Sequence, residues 1–96
     1  MGLVKNIRGK SGAIGNFSDI NKVTFIGNSN GTFTVVAYVF VFANKTEKEN
    51  LSEPLETRVY NFQVPQNQGV GNLRRFIINL IKSTDDYSGA TEDGET

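Results

Sequence analysis

The longest apolar stretch of the chain is Thr32-Phe-Thr-Val-Val-Ala-Tyr-Val-Phe-Val-Phe-Ala43. Its residues are mostly β-branched or aromatic, which suits a pleated strand better than a helix. Apolar and polar positions do not alternate along it. As a strand it turns Phe33, Val35, Ala37, Val39, Val41 and Ala43 one way and Val36, Tyr38, Phe40 and Phe42 the other. A strand apolar on both faces needs cover on both faces. The rest of this short chain offers little for the second, so a partner surface is expected there. Fully extended, the run would reach about 40 Å, twice the usual strand length.

Weaker patterns surround this run. Leu3 to Arg8 reads as a short strand or an extended arm, Gly9-Lys-Ser-Gly12 as a turn, and Ala13 to Phe17 as a returning strand. Asp19-Ile-Asn-Lys then leads into a separate strand, Val23 to Gly27. Asn28-Ser-Asn-Gly31 predicts a tight hairpin turn into the central run, because Asn and Gly accept positive φ at low cost. The polar stretch Asn44 to Glu53 predicts an exposed loop with room for one helical turn. After Pro54, Leu55 to Val64 reads as a half-buried strand. Tyr60, Phe62 and Val64 face inward, while Val59, Asn61 and Gln63 face outward.

Pro65-Gln-Asn-Gln-Gly-Val-Gly71 breaks the pattern, and Asn72 is a credible N-cap for a helix from Leu73 to about Ser83. Leu73, Phe76, Ile77, Leu80 and Ile81 form one apolar stripe, with Ile78 beside it and Arg74, Arg75, Asn79 and Lys82 opposite. From Thr84 the chain is Gly, Ser, Thr and acid, with Tyr87 the one aromatic available to pin it down. The predicted fold is mainly β (α+β): a small antiparallel sheet, sandwich- or barrel-like, with a C-terminal amphipathic helix packed on it. Residues 1–84 make one domain, 1–10 a possible extended arm, and 85–96 an acidic flexible tail.

Composition narrows the chemistry. The chain has 96 residues, no Cys and no His. It therefore lacks disulfides, thiolate metal sites and the commonest general base and metal ligand. No stretch is long and apolar enough to cross a bilayer. Arg8-Gly-Lys-Ser resembles the end of a phosphate-binding loop, but position 4, where that loop needs Gly, is Val. Gly69-Val-Gly-Asn before the helix would offer an anion free N–H groups, and as a simple helix-capping loop it needs no ligand. Asp85-Asp86, the one adjacent acid pair, stands in the tail rather than on a rigid element. No catalytic, cofactor-binding or metal-binding residue is predicted, and no enzyme activity or cofactor.

The zero net charge hides an asymmetry. All ten Lys and Arg lie in residues 1–84 with five acids, a net +5, whereas 85–96 carries five acids and no base, a net −5. An acidic tail of this kind can shield an anion-binding face, or simply keep a terminus hydrated. Basic residues and strand aromatics together suggest single-stranded nucleic acid as a partner, with Lys5, Arg8, Lys10, Arg74 and Arg75 as contacts. The same aromatics serve equally as the core of a sheet protein without Trp.

The stretch from Val23-Thr-Phe-Ile-Gly to Pro54-Leu-Glu-Thr-Arg-Val-Tyr-Asn-Phe, with the ending Ile81-Lys-Ser-Thr-Asp-Asp-Tyr-Ser-Gly-Ala-Thr, resembles the small virion proteins of tailed bacteriophages. Those are built from a few strands, one late helix and Asn/Gly/Thr-rich loops, without Cys or His. The resemblance is one of texture over most of the chain and includes no diagnostic motif, so no site residues carry over. It implies a capsid, neck or tail accessory component in several symmetric copies, assembled in the host cytoplasm. The expected function is non-enzymatic: a structural assembly protein whose partners are itself or larger virion proteins. Val36, Tyr38, Phe40 and Phe42 form its expected interface. The alternative is a single-stranded nucleic-acid binder with an acidic C-terminal tail.

Overall fold

The computed structural model describes residues 2–9, 12–65 and 72–92. Its elements are β1 (Gly2–Arg8), β2 (Ile14–Gly27), β3 (Thr32–Phe42), α1 (Lys45–Glu49), β4 (Glu56–Pro65), α2 (Leu73–Lys82) and β5 (Thr91–Glu92). The strands form one open antiparallel sheet in the order β4-β3-β2-β1-β5. The protein is thus mainly β. The first four strands meander in chain order. After β4 the chain runs through α2 and returns at the far edge, where β5 pairs with Leu3 and Val4 of β1. No helix among the described residues is long and apolar enough to cross a membrane.

Local chemistry accounts for the turns and caps. In the β2–β3 hairpin the Asn28 N–H donates to the Thr32 carbonyl at 3.0 Å, and Gly31 takes a φ of +82°. Only Gly adopts that conformation freely. Asn30 accepts from the Thr32 hydroxyl at 2.6 Å, holding the turn from within. Asn72 caps α2 by accepting from the Arg75 N–H at 3.0 Å, and Asn44 caps the short α1 through the Glu47 N–H at 2.9 Å. Each side-chain oxygen satisfies a backbone donor that the helix leaves unpaired.

The core lies on one face of the sheet. Val35, Ala37, Val39 and Val41 of β3 are buried in one apolar cluster with Leu3, Ile7, Ile20, Val64, Ile77, Ile78, Ile81, Tyr87 and Ala90. Tyr60, Phe62, Phe76 and Leu80 pack at its margin. Strand alternation then puts Val36, Tyr38, Phe40 and Phe42 on the opposite face. The inward set on β4 is the expected one, since Tyr60, Phe62 and Val64 are each more buried than their neighbours Val59, Asn61 and Gln63.

Three expectations change, and one left open between two readings is decided. The two strands foreseen between Ala13 and Gly27 are one, β2, because the register shift between Ile20 and Lys22 absorbs the break in the pattern. That bulge keeps both Ile20 and Val23 on the core side while Lys22 turns away. On α2 the buried face is rotated from the foreseen stripe: Ile78 is buried and Leu73 is exposed. Of the two readings of Leu3 to Arg8, strand and extended arm, the strand holds: residues 2–8 are β1, an interior strand at Leu3 and Val4, where it lies between β2 and β5.

Finally, 85–92 is not a tail apart from the domain. Tyr87 is fully buried, Ala90 nearly so, and β5 completes the sheet. The physical reason is a single aromatic. Tyr87 packs edge-on against Tyr60 with ring centroids 5.9 Å apart, and its hydroxyl bonds the buried Ser18 hydroxyl at 2.8 Å. Residues 93–96, Met1, Lys10 and the break at 66–71, including the Gly69-Val-Gly stretch, lie outside the described residues.

Tyr87→Phe should therefore cost about 1–3 kcal/mol, because it strips the buried Ser18 hydroxyl of its partner. Adding Ser18→Ala should recover part of that loss. Urea unfolding of the two single variants and the double variant measures the coupling, and strictly additive losses would show that the bond contributes nothing.

Candidate functional site

The sheet face away from the core is the largest feature not consumed by the fold. Its centre is β3, where Val36, Tyr38 and Phe40 are half-buried. Register brings Thr24 and Asn61 beside Val36, Lys22 and Val59 beside Tyr38, and Asp19 and Thr57 beside Phe40. Ile26 and Val59 are 49% and 50% exposed on this face, and Val4 is also exposed. The result is an apolar strip along β3 flanked by short polar side chains and one cation. The Lys22 ammonium lies 5.8 Å from the centre of the Tyr38 ring, in range of a cation–π attraction.

Phe42 differs from the other three predicted residues. It is buried at 6% exposure, in register with the equally buried Phe17 and edge-on to Phe40 at 6.5 Å. The short α1 follows at once and touches both β2 and β3. This end of the face is therefore closed by the chain itself, and the accessible residues are Val36, Tyr38 and Phe40.

The predicted nucleic-acid contacts do not form one free patch. Lys5 donates to the backbone carbonyls of Ser88 at 2.8 Å and Asp85 at 3.4 Å. Arg75 pairs with Glu92 at 2.5 Å, and Lys82 with the same carboxylate at 3.7 Å. Arg8 is exposed, and its carbonyl accepts from Arg58 at 3.0 Å. Arg74 is half-buried on α2, and Lys10 lies outside the described residues. The described part of the C-terminal segment thus lies against the basic residues foreseen as its electrostatic counterpart.

Sequence reasoning missed a charged corner built around Arg58. Its guanidinium bonds Glu56, the Asp86 carboxylate at 2.8 Å and the Arg8 carbonyl, and the Tyr60 hydroxyl donates to Asp86 at 2.9 Å. Arg58 is on β4 and Arg8 on β1, so the long Arg58 side chain spans from one side of the meander to the other. Burial opposes the Arg58 charge, but the bonds to Tyr60 and Glu56 outweigh it and raise its pKa. Burial raises the Tyr60 pKa as well, and the bond to Asp86 adds to the shift while Arg58 opposes it. Arg58 and Tyr60 thus both donate to the one Asp86 carboxylate, which ties the segment after α2 to β4. The inward position of Arg58 on β4 was the available signal.

Among the described residues no group of three or more His, Cys, Asp or Glu side chains converges to hold a metal ion. Compared with protein-family models, with curated proteins and with solved structures, the chain matches none.

The Glu92 carboxyl is held below its ordinary value of 4.5 by the hydrogen bond from Arg75, against a smaller opposing effect of desolvation. A carboxylate with a depressed folded-state pKa stabilises the fold above its unfolded pKa and loses that contribution as pH falls through the folded one. Thermal stability should therefore decline on acidification below about pH 4.5, and Glu92→Gln should flatten part of the decline. Being open to solvent on one side, the pair should also weaken with salt. Identical melting profiles for the two proteins from pH 3 to 7 would refute this assignment.

Proposed function

We propose that this chain is a non-enzymatic assembly subunit that buries the open face of its sheet against other protein subunits. The single observation behind this reading is the second face of β3. Val36, Tyr38 and Phe40 stand opposite a core already complete on the other side, with Ile26 and Val59 half exposed around them. Singly exposed apolar residues are ordinary, whereas a contiguous apolar strip rimmed by polar side chains, here Thr24, Thr57, Asn61, Lys22 and Asp19, fits an apolar interface centre with a polar rim. The finer expectation of a helix lid on the core face belongs to the same reading. Ile77, Ile78 and Ile81 share the β3 core, so α2 serves as the internal cover and the opposite face stays available.

The setting fits the texture shared with small virion proteins of tailed bacteriophages, in which many copies of a short chain coat or join a larger particle. The corresponding proposal is a capsid, neck or tail accessory protein. Engagement of Lys5, Arg75 and Lys82 by the chain's own C-terminal segment argues against the nucleic-acid reading.

Phe40→Asp places a carboxylate in the strip beside Asp19. Circular dichroism should show a folded variant. Sedimentation velocity should show weaker association, by a factor of ten or more, than for the unaltered chain. A folded Phe40→Asp protein that assembles like the unaltered chain would exclude this face as the interface.

A further inference from the structure

β4 is an edge strand, with β3 on one side and no strand on the other among the described residues. Beside it lies a cavity of about 610 Å³ lined by Glu56, Thr57, Arg58, Val59, Tyr60 and Asp86. Five of these six are consecutive. Alternate side chains of a strand point to opposite faces, so a cavity that touches all five must run along the hydrogen-bonding edge. That edge lacks most devices that block strand addition. Its ladder with β3 has no bulge, no Lys interrupts it, and its one Pro stands at the end, Pro65. Its one inward-facing cation, Arg58, is paired with Glu56 and Asp86.

We propose that β4 pairs antiparallel with β4 of a second copy about a two-fold axis through Val59, joining the two sheets into one. This deepens the assembly reading above and rests on it. The register follows from chemistry. Continuous faces require the axis to pass through a residue, because a one-residue slip would exchange the core and open faces. An axis at Arg58 would oppose two like charges, and one at Tyr60 would stand at the end of the segment that lines the cavity. The axis at Val59 sets Arg58 against Tyr60 of the second copy, Thr57 against Asn61, and Val59 against itself. Each of these is a compatible cross-strand pair. It also keeps the axis one residue from the middle of the segment that lines the cavity. On the open face Tyr38 is the β3 neighbour of Val59, so the strip of one copy continues into that of the other.

The chain has no Cys, which makes the register directly testable. With Val59→Cys, oxidised glutathione should convert most of the protein into a disulfide dimer on non-reducing electrophoresis, since directly opposed residues fall within disulfide reach. Asn61→Cys alone should stay monomeric, its counterpart being about 13 Å away along the strand. An equimolar mixture of Thr57→Cys and Asn61→Cys chains should cross-link. Circular dichroism checks that each variant folds. A folded Val59→Cys protein that stays monomeric, or Asn61→Cys cross-linking equally well, overturns the proposal. If the unaltered chain still associates in a Phe40-dependent way, only the edge pairing has failed. If it does not, the assembly reading has failed with it.

Discussion

Everything in this structure turns on β3 being apolar on both sides. A strand of that composition is stable only between two covers, because each exposed aliphatic or aromatic side chain forgoes the free energy of leaving water. The chain covers one side with its own elements. Val35, Ala37, Val39 and Val41 share a core with Ile77, Ile78 and Ile81 of α2. On the other side it closes only the end, where Phe17 and Phe42 are buried. Val36, Tyr38 and Phe40 remain between hydrogen-bonded neighbours with a partly wet surface. The functional proposal is the consequence of this imbalance.

The second constraint is the return of the chain. After β4 the polypeptide must travel from one edge of the sheet to the other, and α2 makes the passage. The segment that follows is anchored by Tyr87 in the core, by β5 on β1, and by Asp86 and Glu92 on cations of the body. Surface ion pairs of this kind contribute little individually, so the burial of Tyr87 and Ala90 carries most of the attachment. The charge asymmetry of the sequence is thereby turned inward. Acids that look like a free tail meet the bases of the same chain.

The legible parts were those governed by local rules. The alternation on β4, the Asn72 cap, the hairpin turn at Asn28 to Gly31 and the one-turn helix after Asn44 depend on residues close in sequence. The division of β3 into two faces was equally readable, because a period of two cannot be mistaken over that length. The continuity of β2 was hidden by its bulge, which shifts the pattern by one residue and looks like a strand end. The attachment of 85–92 was hidden because one Tyr in a polar stretch weighs little in composition but much in a core. Burial of Ile78 with exposure of Leu73 is not specified by any periodicity within the helix. At the candidate face, Val36, Tyr38 and Phe40 followed from alternation, whereas the closure over Phe42 required knowing where α1 sits.

The most direct test of the account is hydroxyl-radical footprinting of the unaltered chain across a wide concentration range, read by mass spectrometry. Oxidation of Tyr38 and Phe40 should fall as concentration rises, while that of Leu73, exposed on α2, stays constant. Equal labelling of Tyr38 and Phe40 at every concentration would contradict the account, because the second face of β3 would then have no partner among copies of this chain.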